Sequence, residues 1–475
     1  MLWFPIDRHS TTSLVQQVYT NIRTLILSEQ LKEHEKLPST RELAHSIGTS
    51  RNTVTDAYEQ LILEGYLLVR PRSGTYVAAG VVLKAAETEK RESDLADWLQ
   101  TEQHDSRQFI DFRASHPAMD HFPRKVWGRL AKEVCYDSAD ELFGYRTPFG
   151  DETLRRVLAT YLARTRGVAC HPEQIVITAG ATQGLALITQ LLLKEGEHVA
   201  VEDPVTDEMR HIFSNAGANV YPVKADDQGI IPEKLSHHEK PSFVFVIPSH
   251  QFPLGAVLPI QRRIQLVEYV RQMNSYIVED DYDSEFTYEG TAVYSMQGLD
   301  SKRVIYVGTF SKILSPALRI GYVILPYQLI DPFKELKWFS DRHTATLEQQ
   351  IMARFIEEGH LDQHVRRMKR IYEGRRKALV AALKKSFPDL KIIGHAAGMH
   401  VVVEWKQLEV DQAFVDHCKQ HQVIVYPVEQ YALQKGYHTK QMVLGYGSLT
   451  EADIRIGVDR LHEAVSIFKQ TTAPF

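Results

Sequence analysis

The chain has 475 residues, 44% of them hydrophobic and 24% charged, with 55 Lys and Arg against 60 Asp and Glu for a formal net charge of −5. That length holds roughly three domains of ~150 residues; the charge balance excludes a uniformly basic nucleic-acid coat, and the lack of an apolar run of about 18 residues excludes a helical membrane span. Cys135, Cys170 and Cys418 lie far apart with no C-x-x-C pair, which argues against a disulfide framework or a zinc site, and residues 1–10 carry no basic-then-apolar leader, so the expected location is the cytoplasm.

Residues 1–79 read as short amphipathic segments ending in a hairpin. In Leu37-Pro38-Ser39-Thr40-Arg41-Glu42-Leu43-Ala44, Ser39 or Thr40 can cap a helix, Glu42 stands three residues after Ser39, and Leu43, Ala44 and Ile47 form an apolar stripe. Gly48 is a turn residue. Ser50 caps a second helix in which Val54, Ala57, Tyr58 and Leu61 recur at helical spacing. Two short helices joined by a glycine turn have helix-turn-helix geometry, which puts Arg51, Asn52 and Thr53 on the first turn, where base edges are read in the major groove. Two β-rich runs then flank Arg70-Pro71-Arg72-Ser73-Gly74. This is a wing with a basic tip: Arg70 and Arg72 reach phosphates or the minor groove, and Gly74 lets the backbone approach closely. Residues 80–107 are rich in charge and poor in apolar side chains, as expected of a linker.

From Phe109 onward, strand-like runs at 174–178, 199–202, 243–248, 276–280 and 304–308 alternate with longer helical stretches. Such alternation predicts a large, mostly parallel sheet with helices on both faces. Residues 330–475, with a helix over 347–358 and a strand over 400–404, read as a smaller α+β lobe. The run Val304 to Lys312 is a strand entering a turn that ends in a lysine flanked by Thr309 and Ser311, with Arg319 following. A lysine so placed suits a Schiff base with an aldehyde cofactor, and the two hydroxyls with Arg319 suit a phosphate dianion. Asp280 ends the run Tyr276-Ile-Val-Glu-Asp, where a carboxylate keeps a pyridine ring nitrogen protonated; Tyr282 is placed to bond the ring hydroxyl. Ile175-Val-Ile-Thr-Ala-Gly-Ala-Thr-Gln leads from a strand into a helix, so the backbone N–H groups of Ala181, Thr182 and Gln183 form an anion site. No metal-ligand spacing is present among the 21 histidines.

Residues 12–78 resemble the winged-helix domain of the GntR family, carried by Leu37 to Ala44, Ser50 to Val54, Glu64-Gly65-Tyr66 and Ser73-Gly74-Thr75. That likeness implies DNA contacts from Arg41, Arg51, Arg70, Arg72 and Gly74, in addition to the first-turn residues Ser50, Asn52 and Thr53. Residues 110–465 resemble fold-type I aminotransferases that use pyridoxal 5′-phosphate. The resemblance implies that Lys312 carries the cofactor, that Tyr145 reaches the phosphate of a neighbouring subunit in a homodimer, and that the loop 248–255, with His250, lies under the cofactor. The two parts in this order, over 1–79 and 108–475, are similar to MocR-type transcriptional regulators of the GabR branch.

The chain departs from a working aminotransferase at defined positions. Val443 stands where the family places an arginine for the substrate carboxylate, Thr206 where an aromatic residue is common, Glu208 where the GABA-responsive branch has an arginine, and Phe252 where an asparagine is usual. Arg210 and His250 can still supply a cationic contact. The expectation is a sensor: a regulator that binds double-stranded promoter DNA and whose cofactor-bearing domain responds to an amine or amino acid, or to pyridoxal phosphate itself. The competing expectation is an active aminotransferase with an accessory DNA-binding domain.

Overall fold

The computed structural model describes residues 2–8, 10–81, 109–289, 293–394 and 396–472, with side chains as far as 470. Of the expected linker over 80–107, all but Gly80 and Val81 lies outside the described residues. The chain divides into two compact units, Met1–Asp105 and Ser106–Phe475.

In the first unit, helices Leu14–Leu27, Thr40–Ile47 and Arg51–Leu63 precede strands Leu67–Arg70 and Gly74–Val77. The sequence sets each boundary by capping chemistry. Ser39 caps the second helix through a full capping box: its side chain accepts from the Glu42 N–H, and Glu42 accepts from the Ser39 N–H. Gly48 ends that helix with φ +70°, a conformation glycine adopts without steric cost. Ser50 then caps the third helix by accepting from the Thr53 N–H. Val54, Ala57, Tyr58 and Leu61 face the core, with Val18, Ile22, Leu43 and Leu67 packed against them. The antiparallel hairpin pairs Leu67 with Val77 and Arg70 with Gly74, so 71–73 form its tip.

The second unit is built on an eight-stranded sheet. Its order is Ile175–Thr178, Gly321–Ile324, Val304–Thr309, Tyr276–Asp281, Pro241–Val246, His198–Asp203, Asn219–Asp226 and Gly229–Ile230. Gly321–Ile324 runs antiparallel to both neighbours and Gly229–Ile230 antiparallel to Asn219–Asp226; the remaining pairings are parallel. Parallel strands covered on both faces read as continuous apolar runs rather than alternating ones, and Ile175–Thr178 and Val304–Thr309 are buried at every position. Separate apolar clusters fill the space on either side. One holds Leu158, Leu162, Tyr306 and Phe355, and the other Leu185, Phe213, Phe245 and Phe333.

The smaller lobe carries the strand order Lys391–Ile393, His400–Glu404, Gln441–Gly445 and Tyr426–Pro427, all antiparallel. Helices His360–Ser386 and Glu451–Thr472 pack with it. The expected boundary at 330 needs correction. Helices Ile330–Asp341 and Thr346–Glu357 belong to the large lobe, where Phe333, Met352 and Phe355 are buried. Conversely Phe112 and Ala118, far upstream, lie in the core of the small lobe, and Ile110–Asp111 pairs in parallel with Val423–Ile424. Local periodicity carries no trace of these exchanges, because they are decided by long-range packing.

Candidate functional site

Strand ends bring the chemistry together. A cavity of about 260 Å³ is lined by Ala181, Thr182, Glu208, Asp280, Tyr282, Thr309, Ser311, Lys312 and Arg319, together with Ser115, Thr206, Met209, Ile247, Phe252 and Pro316. Parallel pairing sets Asp280 opposite Val307, so both strands deliver their C-terminal ends to one crevice, the usual place for ligands in such sheets.

The strand Tyr276–Asp281 and the turn after it separate acids by alternation. Asp280 and Tyr282 face the cavity. Asp281 is instead gripped by Arg166 (Nε–Oδ2 2.7 Å) and by the Tyr306 hydroxyl (2.6 Å), in a fully enclosed site. Arg166 also donates to the Ser249 hydroxyl and the Val293 carbonyl. Glu279 accepts from the Ser295 hydroxyl at 2.6 Å. Asp280 keeps an oxygen, Oδ1, that is buried and has no hydrogen-bond partner. Burial, reinforced by the nearby charges of Asp281 and Glu208, pushes its carboxyl up to about 7. A buried orphan acceptor of this kind calls for a cationic N–H donor.

Lys312 follows the strand Val304–Thr309, and burial pushes its amine below the ordinary lysine range. A depressed amine is the nucleophilic form. Beside it the Thr309 hydroxyl donates to Ser311 Oγ (3.0 Å) and accepts from the Ser311 N–H (3.1 Å). Arg319 adopts a left-handed backbone, φ +50°, and its guanidinium donates to the Ala179 carbonyl at 2.7 Å. A Cβ on Gly180 would meet that guanidinium at 2.9 Å, and one on Gly321 would meet Gly180 at 2.6 Å. The glycines therefore let the turn, the arginine and the sheet close on one another. The helix Ala181–Leu192 begins at this turn without a side-chain cap, and its first residues line the cavity together with Arg319, an arrangement whose chemistry suits an anion. Ser115, φ +59°, is a second left-handed non-glycine residue in the lining; strained backbone of this kind gathers at functional sites.

Three expected cofactor contacts lie outside the lining. The Gln183 side chain accepts from the Ala179 N–H (2.8 Å) and so braces the turn from within. His250 is buried behind the cavity, with Nδ1 3.1 Å from Asp283 and 3.3 Å from the Tyr282 hydroxyl. The Tyr282 hydroxyl donates to the His250 carbonyl at 3.1 Å. Tyr145 is 80% exposed, with its ring under Arg342 and edge-on to His343. Sequence reasoning missed Ser115, which no local pattern marks, and the Arg166–Asp281 pair, whose members are brought together only by the fold. Val443 is fully buried in an apolar cluster with Val402 and Val428 and offers no cation.

On the first unit, Arg41, Ser50, Arg51, Asn52, Arg70, Arg72 and Gly74 are exposed and Thr53 is half-buried. The hydroxyls of Ser50 and Thr53 lie 2.8 Å apart, so the cap occupies both. Arg70 stacks on Tyr76 at 4.7 Å, and Tyr76 is tied to Ser73 (2.7 Å), which stiffens the wing. Lys36, also missed, bridges to Tyr76, and its side chain fills the space a Gly74 Cβ would need. Of the acids nearby, Glu42 is engaged in its capping box and Glu64 by the Tyr19 hydroxyl at 2.5 Å, while Asp56 and Glu59 are exposed.

A regulatory DNA-binding fold followed by an aminotransferase fold defines the class. Residues 14–77 match the bacterial regulatory proteins of the gntR family, and residues 107–461 match aminotransferase class I and II. The chain is 34% identical to the uncharacterized HTH-type transcriptional regulator YdeL of Bacillus subtilis, over 97% of this chain and 99% of that one. It is 33% identical to the probable rhizopine catabolism regulatory protein MocR of Rhizobium meliloti, over 97% and 95%. Among solved structures, Pyrococcus horikoshii kynurenine aminotransferase in complex with PMP superposes with a TM-score of 0.72 at 27% identity, covering 80% of this chain and 96% of that one. The chain belongs to the MocR-type HTH transcriptional regulators, in which a GntR-type region precedes an aminotransferase-like domain. Among the described residues, no helix is long and apolar enough to cross a membrane.

Proposed function

We propose that this regulator binds promoter DNA through its winged helix and holds pyridoxal 5′-phosphate in the cavity as a sensing group. One observation carries the reading: a half-buried lysine, a buried carboxylate oxygen lacking a partner and an arginine-backed helix start line the same crevice. Those donors and acceptors fit a pyridine ring bearing an aldehyde and a phosphate. Lys312 would hold the aldehyde carbon, Asp280 Oδ1 the ring N–H, and Arg319 with Thr182, Ser311 and the 181–183 backbone the phosphate. When bound, the group supplies an imine-forming carbon and an electron sink. The chain's part is to keep the Lys312 amine desolvated, to hold a negative charge opposite the ring nitrogen through Asp280, and to fix the Tyr282 hydroxyl on the His250 carbonyl.

The effector is an amine or amino acid, or the cofactor itself. A ligand shifts DNA affinity only by preferring one conformation of the sensor over another. The test is fluorescence anisotropy on operator DNA, with and without pyridoxal phosphate, across salt concentrations. A difference supports coupling; equal affinity throughout contradicts it. A homodimer is supported by the exposed aromatic side chains of Tyr145, Trp338 and Phe339. Arg342 sits over both Tyr145 and Trp338, and Ser340 bonds Gln183 of the phosphate turn, so a second subunit there would border the pocket. Buried Val443 favours sensing over steady turnover, because an apolar side chain cannot clamp a substrate carboxylate. Sustained oxo-acid production from an amino acid would overturn that choice.

A further inference from the structure

Among the charged residues lining the cavity, the proposed cofactor reading gives work to Lys312, Asp280 and Arg319 and leaves one unassigned, Glu208. It is the second residue of the helix Asp207–Asn215. Acids at such positions commonly serve the helix itself, but that need is met by others here: Thr206 caps the helix by accepting from Met209 N, and Asp207 stands in the first turn, paired with Arg210 at 2.8 Å. Arg210 is thereby drawn to Asp207 rather than to Glu208. Glu208 instead lines the cavity, where Oε1 accepts from the Thr182 hydroxyl at 2.6 Å. Its charge acts on the Lys312 amine and on the Asp280 carboxyl alike.

Thr182 belongs to the anion turn. A phosphate seated there competes for its hydroxyl and leaves the Glu208 carboxylate facing the cavity without that donor. On the opposite lobe the position that would clamp a carboxylate is Val443, buried among apolar side chains. Arg113, outside the lining, is held by the Tyr426 hydroxyl (2.9 Å) and lies 3.5 Å from Asp111. The charge pattern therefore selects against an acid and for a second cation.

We infer that Glu208 sets the effector class: a primary amine carrying a second ammonium group, such as a short diamine, with Glu208 receiving the distal charge. This inference rests on the cofactor reading above. The test uses the full-length chain loaded with pyridoxal phosphate and three ligands of one length, 1,4-diaminobutane, n-butylamine and 4-aminobutanoate, with affinities from titration calorimetry. The diamine should bind about threefold or more tighter than butylamine and about tenfold or more tighter than the amino acid, as befits a partly exposed charge pair. In Glu208→Gln the diamine and butylamine affinities should converge, and in Glu208→Arg the amino acid should become the best of the three. Equal diamine and butylamine affinities in the unaltered chain, or a preference that survives Glu208→Gln, would overturn the inference while leaving the pocket reading intact. A chain that takes up no cofactor, judged from its visible absorbance, fails at the earlier step and overturns both.

Discussion

At the residue scale, the decisive group is Asp280. Burial holds its carboxyl near 7 against an ordinary 3.8. Between those values the folded chain keeps a proton that the unfolded chain has released, so in the cofactor-free protein stability falls as pH rises from about 4 to about 7. Glu202, pushed up to about 8 by burial, slopes the same way. Asp280→Asn should therefore flatten part of the pH dependence of Tm in the cofactor-free chain, by up to ~2–4 kcal/mol at neutral pH, and should weaken cofactor retention. Thermal melts across pH 4–8 check the first effect and equilibrium dialysis the second; an unchanged slope would mean Asp280 is not buried as a neutral acid. His400 tilts the balance the other way. Burial lowers it to about 3, its Nε2 donating to the Pro253 carbonyl. The stability that neutral His400 contributes is complete above about 6.5 and is lost as pH falls towards 3.

At the element scale, capping and close packing do work that can be measured. Ser50→Ala removes the acceptor for the Thr53 N–H and should cost the winged helix about 1 kcal/mol, seen as a lower denaturation midpoint of that unit. Gly308 lies on a strand beside Tyr322, with no room for a Cβ, so Gly308→Ala should cost the second unit about 1–3 kcal/mol and loosen the strand that leads to Lys312. In the wing, Arg70→Ala and Arg72→Ala should weaken binding to all DNA sequences alike and reduce the salt slope by about one each. Asn52→Ala should instead blunt discrimination between sequences. Competition anisotropy against specific and random duplexes separates these effects. The strands and caps were legible because local patterns encode them: the apolar run before Ala181, the Ser39–Glu42 spacing, the lysine after Val304–Thr309. Ser115 and the burial of Phe112 and Ala118 in the far lobe were not, because only the assembled chain brings them there. Tyr145 was legible through resemblance alone, and within one subunit it stands exposed, away from the cavity lining.

At the scale of the whole molecule, a GntR-type DNA-binding region and an aminotransferase-like domain share one chain, and regulation needs the ligand state of the second to alter the first. The aromatic surface around Tyr145 and Trp338 predicts self-association. Tyr145→Ala with Phe339→Ala should shift the chain towards monomer in analytical ultracentrifugation and weaken cofactor binding together; loss of neither would contradict a shared pocket edge. The most direct measurement is the visible spectrum of the purified full-length chain after addition of pyridoxal phosphate and removal of the excess. A retained band at roughly 410–430 nm, absent from Lys312→Ala, is the predicted result. A colourless unaltered chain, or a Lys312→Ala chain that keeps the band, would contradict it.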